Sequence, residues 1–446
     1  MPTERTINVS DLINQNRLTP FQIFIAAVCF LIVAIDGFDT AAIGFLAPAI
    51  RAEWGLTAAD LAPLFGAGLV GLMAGAFLFG PLADRFGRKT VLIVCVLVFG
   101  LASLVSARSA SLQTLVFLRF LTGLGIGGAM PNSVTMTSEY CPENHRLFMV
   151  TTMFCGFTVG SALGGLASAQ MVGEYGWRSV LALGGVLPLL LLPMMVWKMP
   201  ESARYLVLQG KSADRVAAIL KRIAPRENFV GARFVLNHGK PRGLPVSHLF
   251  KPDLFAGTLL LWTAFFMSLL IIYLLSSWLP TLIKSTGVSL KTASLVTMMF
   301  QIGGTVGAIL LGWLMDKFNP HYVLAITYAS AAIFIAAVGS LTGSPWLLGL
   351  TIFAAGFCVS GSQVGANALA ASFYPTDCRA TGVSWANGVG RIGSVIGSVG
   401  GGAMLSLNLS LPTVFLIVGA PALVSGAVML VMGRHRAEGA RRLAQA

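Results

Sequence analysis

Gly80-Pro-Leu-Ala-Asp84-Arg85-Phe86-Gly87 is answered 232 residues later by Gly312-Trp-Leu-Met-Asp316-Lys317-Phe318-Asn319. In both places an apolar run ends in a carboxylate, a base and a phenylalanine. Two further pairs keep almost the same offset. Tyr140-Cys-Pro142-Glu-Asn-His-Arg146 pairs with Phe373-Tyr-Pro375-Thr-Asp-Cys-Arg379, and Gly160-Ser-Ala-Leu-Gly164 with Gly393-Ser-Val-Ile-Gly397, each 233 residues apart. Three matches in one register make the chain an internal duplication.

The duplicated unit is read from what surrounds it. About 20 apolar residues cross a bilayer as a helix, and twelve runs qualify: 21–49, 60–82, 90–107, 112–137, 147–171, 177–198, 254–280, 291–315, 321–341, 346–369, 381–404 and 411–432. The composition agrees. Of 446 residues, 56% are hydrophobic and 11% charged, with 50 glycines, and the mean hydropathy is +0.80. A soluble domain carries about 25% charged residues, so a soluble enzyme, a disordered chain and a secreted disulfide scaffold are all excluded. The expected fold is an all-α membrane protein, twelve transmembrane helices in two pseudo-symmetric six-helix halves. Such paired halves around a central site are a recurrent transporter architecture.

The formal charge of +13 first suggests a nucleic-acid partner, but its placement argues otherwise. With the N-terminus inside, 23 of the 30 Lys and Arg fall in cytoplasmic segments and five outside, at Arg51, Arg108, Arg178, Lys284 and Lys291. Arg119 and Arg391 lie within spans. That asymmetry is the positive-inside signal of a multi-pass protein with both termini cytoplasmic. The divisions follow: a cytoplasmic segment 1–20, a first half 21–198, a central loop 199–253, a second half 254–432 and a basic tail 433–446. The central loop, with ten bases, four acids and prolines at 225, 241 and 245, reads as a solvated linker. The six cysteines form no metal or disulfide pattern and read as small apolar residues. The first apolar run has no small-residue cleavage site, so no signal peptide is expected.

The chain resembles the major facilitator superfamily over nearly its whole length. Gly80-Pro-Leu-Ala-Asp-Arg-Phe-Gly-Arg-Lys89 is similar to that superfamily's loop signature between spans 2 and 3. Arg119-x-x-x-Gly123-x-Gly125 is similar to its span-4 motif, and Pro200-Glu-Ser-Ala-Arg204 to the sequence after span 6. Asp36-Gly-Phe-Asp39-Thr-Ala-Ala in span 1, with Arg379-Ala-Thr-Gly382 and Arg391, resembles the aromatic acid:proton symporters of the hydroxybenzoate and protocatechuate group. The resemblance implies proton-coupled import of a small aromatic carboxylate through a bacterial inner membrane. It also implies that Asp84 helps hold the cytoplasmic side closed. No cofactor, metal or nucleic acid is expected, and a monomer suffices. Efflux by proton antiport and a membrane receptor for aromatic acids are the competing readings. No nucleophile–base pair in the spans suggests an enzyme.

A carboxylate in mid-membrane costs at least ~2.5–3.5 kcal/mol on insertion scales and so faces a partner or a cavity. Asp36 and Asp39 share one helix face and are expected to couple protons or to touch the substrate, with Asp39 foremost as proton carrier and also a substrate-binding candidate. The competing role for either is to fix packing through a neighbouring backbone or Arg119. A planar guanidinium matches a carboxylate bidentately, which makes Arg391 or Arg119 the expected anion anchor. Arg391 is otherwise a latch, and Arg119 a partner for span 1. Glu139 either receives protons at the cytoplasmic end of span 4 or is a solvated end residue. Phe38, Tyr273, Trp278, Gln301, Gln363, Asn367, Trp385 and Asn387 are the in-span candidates for the substrate wall. Gly80, Asp84, Arg85, Arg88 and Lys89, with Asp316, Lys317 and His321, are the expected cytoplasmic gate. Arg146 and Arg379 occupy equivalent places in the two halves and are expected partners for it.

Overall fold

The structure, a computed structural model of the chain, describes residues 6–210, 213–229, 231–236, 249–341, 343–374, 378–407 and 409–445. Side chains at 147, 252–253, 379–380 and 435–446 lie outside that description. The chain is almost wholly helical. Spans 1 to 6 are Pro20–Trp54, Ala62–Phe86, Arg88–Ser106, Leu112–Tyr140, Glu143–Tyr175 and Trp177–Lys198. Spans 7 to 12 are Pro252–Lys284, Leu290–Lys317, Pro320–Val338, Pro345–Phe373, Arg379–Ser406 and Leu411–Gln445. Among the described residues, 11 of these are long and apolar enough to cross a membrane. The remaining one, span 11, has 28 residues, about 42 Å at 1.5 Å per residue. Its glycines, serines, Asn387 and Arg391 lower its hydropathy, not its length.

The duplication seen in sequence is a duplication of backbone contacts. Spans 3 and 9 each have 19 residues, and spans 4 and 10 each have 29. A Cβ placed on Gly71 would collide with the carbonyl of Phe120, and one on Gly303 with the carbonyl of Phe353. A Cβ on Gly160 would strike the carbonyl of Ala34, and one on Gly393 that of Phe266. All four partners keep the offset of 232 or 233. Small residues allow helix backbones to approach closely in lipid, where no hydrophobic force drives helices together. These contacts therefore fix the register of span 2 on 4 and span 1 on 5, and of their repeats.

By contacts the chain forms two compact units. The first comprises Met1–Thr40, Val70–Gly160 and Leu181–Arg242; the second comprises Ala41–Leu69, Ser161–Val180 and Gly243–Ala446. Within the second unit, the far ends of spans 1, 2 and 5 pack on spans 7, 8 and 11. Phe65 meets Trp278 edge-on at 5.0 Å, Gly165 lies against Met298, and Gly44 abuts the carbonyl of Ser276.

In the first unit the stretch expected to be a solvated linker is partly folded. Helices form at Ala203–Leu208 and Ala213–Ile223. Strand Arg233–Val235 pairs in parallel with Thr6–Asn8, Ile7 opposite Phe234. Val216, Leu220 and Ile223 are buried in one core with Ile7, Val9 and Ile13. Their spacing is the apolar stripe of an amphipathic helix, hidden in the sequence by the bases on its other face. Pro241 and Pro245 lie outside the described residues.

Overpacking a tight contact costs ~1–3 kcal/mol and occasionally more. Gly160→Ala and Gly393→Ala are each expected to lower the thermal unfolding midpoint of the purified protein. Gly173→Ala, with nothing within 4 Å of the new Cβ, should leave it unchanged or raise it.

Candidate functional site

Span 1 carries both acids into the apolar interior of the first unit, where Asp36 and Asp39 are each 1% exposed. Asp39 has two partners on two other spans. Its Oδ2 lies 2.8 Å from Arg119 Nη2 of span 4, and its Oδ1 accepts a 2.8 Å hydrogen bond from Ser103 Oγ of span 3. Arg119 Nη2 also reaches the Asp39 carbonyl at 3.3 Å. Of the two roles open to Arg119, pairing with span 1 is the one present here. Its Nε and Nη1 have no hydrogen-bond partner among the described residues. Asp36 Oδ1 accepts from Thr40 Oγ1 at 3.1 Å. Phe38 is buried and, with Asp39 and Ser103, faces Gly184.

The repeat gives this ion pair an internal control. At offsets of 232, 232 and 233, Asp39, Ser103 and Arg119 correspond to Ile271, Ile335 and Ile352. All three isoleucines are buried to at least 99%, and Ile335 and Ile352 line one small apolar void. The same helix framework therefore packs three aliphatic side chains where the first half holds a salt bridge and a hydroxyl. Exchanging a buried ion pair for well-packed apolar groups is generally neutral or stabilising, whereas removing one partner costs several kcal/mol. Packing at this register does not need the charges.

The second unit holds the other in-span arginine. Arg391 Nη1 donates to Tyr273 Oη at 2.7 Å, with its guanidinium carbon 5.8 Å from the Tyr273 ring centroid. Gln301 Nε2 donates to Ser276 Oγ at 3.4 Å. Asn387 Nδ2 donates to Asn367 Oδ1 at 3.0 Å, and Asn367 Nδ2 to the Gln363 carbonyl at 3.0 Å. Two proposed wall residues are engaged in packing. Trp278 is buried and donates to the Ser398 carbonyl at 2.6 Å, while Trp385 stacks on Trp262 at 5.8 Å.

Where spans 2, 3 and 4 end near Asp84, Arg88 and Glu139, the charges of the first unit form a chain of contacts. Arg88 reaches Asp84 at 3.0 Å and Glu139 Oε1 at 3.2 Å, and Ser202 Oγ donates to Glu139 Oε2. The Glu139 side chain is 9% exposed, so it is not a solvated end residue. Glu201 Oε1 accepts from the backbone N–H of Lys89 at 3.0 Å, a negative charge on the first turn of span 3 where the helix dipole favours it. Gly87, at φ +101°, takes a conformation that suits glycine. Glu201 and Ser202 had no role assigned from sequence, although Pro200–Arg204 was singled out. Tyr205 Oη donates to the Arg85 carbonyl at 2.9 Å, and Gly80 has open space around it.

Arg146 does not meet Asp84. It lies 3.8 Å from Glu143 and donates to the Ser138 carbonyl at 3.0 Å. Residues three apart on one helix reach each other without a long-range partner. In the repeat, Asp316 is exposed and Lys317 sits 3.9 Å from the Trp313 ring centroid. His321 is buried against Gly433, its N–H capped by Asn319 at 3.0 Å. The Arg379 side chain lies outside the described residues. Burial pushes the Cys141 thiol up to about 11, so it stays protonated near neutrality. Among the described residues no group of three or more His, Cys, Asp or Glu could hold a metal.

The Major Facilitator Superfamily model matches residues 29–344 and 261–445. The chain is 45% identical to a gallate transporter of Pseudomonas putida over 98% of its own length and 97% of the relative's. It is also 45% identical to a 4-hydroxybenzoate transporter of Pseudomonas aeruginosa, over 97% of each. Among solved structures, the inward-open xylose transporter of E. coli superposes with a TM-score of 0.72 at 19% identity, covering 92% of this chain and 95% of that one.

The isoleucine counterparts generate a test. Arg119→Ile alone leaves Asp39 buried and unpaired and should destabilise the protein by ~3–5 kcal/mol. The triple change Asp39→Ile, Ser103→Ile, Arg119→Ile copies the second half and should recover most of that loss in thermal unfolding. A triple variant as unstable as the single one would mean that packing needs the charges.

Proposed function

The chain belongs to the major facilitator superfamily, and from that premise we propose that it imports an aromatic carboxylate of the hydroxybenzoate class together with protons. Gallate and 4-hydroxybenzoate are the substrates in the names of its relatives, which supports the substrate class. The observation that carries the coupling is the buried Asp39–Arg119 pair at 2.8 Å, whose repeat counterpart is aliphatic. Such a pair is neutral only while Asp39 is ionised. A proton on Asp39 leaves the Arg119 charge uncompensated in a low-dielectric interior, and the carrier as a whole then bears one extra positive charge, which a bound substrate anion cancels. Proton binding and anion binding then favour each other, and by linkage each strengthens the other equally.

Charge counting makes the cycle consistent. Asp36, Asp39, Arg119 and Arg391 sum to zero. Adding one proton and one substrate anion again sums to zero. The loaded carrier then avoids the ~2.3 kcal/mol per charge that 100 mV, negative inside, sets against anion entry. In this reading Arg391 anchors the carboxylate through its planar fork, held in place by Tyr273. Asp36, one turn from Asp39, relays the proton, and Glu139 accepts it at the cytoplasmic end.

The distribution of Lys and Arg supports an inner-membrane orientation with both termini cytoplasmic. In that orientation the contacts of Phe65 with Trp278 and of Gly44 with Ser276 lie at the outer face. Alternating access requires them to open, while the Asp84–Arg88–Glu139 chain of contacts serves the cytoplasmic gate.

Energised proteoliposomes are expected to accumulate labelled 4-hydroxybenzoate above the bath concentration and to lose the gradient on adding a protonophore. No accumulation, or accumulation indifferent to the protonophore, would contradict symport. Arg391→Gln should weaken binding of the acid by about 10–100-fold, the range for a lost charge-assisted hydrogen bond, and that of the neutral amide analogue far less. Equal losses would remove Arg391 from the carboxylate.

A further inference from the structure

Gln363, in the middle of span 10, is 7% exposed, and among the described residues neither its Oε1 nor its Nε2 has a hydrogen-bond partner. A buried primary amide left unpaired at both ends is costly, and native proteins keep few such groups. Its surroundings in register suggest what would pair with it. One turn later on span 10, Asn367 bonds Asn387 of span 11 at 3.0 Å. That bond fixes which faces of the two helices meet. Four residues beyond Asn387 on span 11 stands Arg391, and four before Asn367 on span 10 stands Gln363. The two spans run in opposite directions through the membrane, so both steps lead the same way, by one helical turn of about 5.4 Å. Residues four apart share a helix face. Register therefore places Gln363 and Arg391 each one turn along, on the same side of the Asn367–Asn387 contact, and Arg391 there donates to Tyr273 Oη at 2.7 Å.

The repeat again shows that the framework does not demand these groups. Gln363 corresponds to Met130 and Arg391 to Thr158, each 233 residues earlier. The chemistry at this register divides in two. A guanidinium matches a carboxylate. A neutral amide offers one acceptor and two donors, which suits a neutral hydroxyl that gives one hydrogen bond and takes another. An aromatic acid with a ring hydroxyl presents both groups on one rigid plane; unsubstituted benzoate would leave the amide unpaired.

We infer that Gln363 is a specificity-determining residue that hydrogen-bonds a ring hydroxyl of the substrate, selecting hydroxylated over unsubstituted benzoates. This rests on the aromatic-acid reading above. A site built to bond a hydroxyl rejects the analogue lacking it, because its own buried polar group is then left without a partner.

The test measures binding of benzoate, 3-hydroxybenzoate and 4-hydroxybenzoate to the purified full-length protein. The wild type should prefer at least one hydroxylated acid over benzoate by about 10–100-fold, the range for one buried hydrogen bond lost with its partner exposed. Gln363→Met, the residue of the other half at this register, should bring that ratio close to one by weakening the hydroxylated acid while leaving benzoate within a few-fold. Gln363→Asn, with the amide one methylene short, should fall between and serves if the methionine variant does not accumulate. An unchanged ratio in either variant, an equal loss for all three acids, or a wild type without preference overturns the assignment. A wild type that binds none of the three fails earlier, at the aromatic-acid reading itself.

Discussion

A carboxylate and a guanidinium 2.8 Å apart, each at least 97% buried, form the contact on which the rest depends. Neither ion is tolerable there alone, and each holds the other by Coulomb attraction, with Ser103 donating to the Asp39 carboxylate and Arg119 donating to the Asp39 carbonyl. The pair is thus stable in one protonation state and unstable in the next. That is the property a coupling element needs: a local change of one proton that alters the energy of a buried charge.

The scaffold makes this possible without relying on the pair. Register between helices comes from close backbone contacts at Gly71, Gly160, Gly303 and Gly393, repeated at the same offset in both halves. Because those contacts carry the packing, side chains elsewhere on the same helices are free to differ. The first half places an ion pair where the second places three isoleucines, and the second places Gln363 and Arg391 where the first has Met130 and Thr158. Duplication supplied two equivalent frames, and the differences between them mark the chemistry.

The spans, their pairing in halves and the in-span charges were legible because they depend on local runs and on repeats. Asp39 with Arg119 was one of two open assignments. Deciding it required knowing that spans 1, 3 and 4 meet, which residues 64 and 80 positions apart do not announce. The central stretch was misread as solvated because bases at 215, 221 and 222 outweigh the three apolar residues that bury its helix. Glu139 was open between a proton receiver and a solvated helix end, and what buries it is Ser202 and Arg88 from distant segments. Trp278 has the composition of a cavity wall, and only the Ser398 carbonyl shows it to be a packing residue. Local pattern reaches which groups are buried; it does not reach which groups meet.

The central claim is that protonation of Asp39 and entry of the aromatic anion are one linked event. It is tested by following external pH in lightly buffered proteoliposomes as 4-hydroxybenzoate is added, with protein-free liposomes as the baseline. The account predicts alkalinisation that tracks substrate entry in the wild type and is lost in Asp39→Asn. Substrate entry without proton movement, or proton movement undiminished in Asp39→Asn, would contradict it.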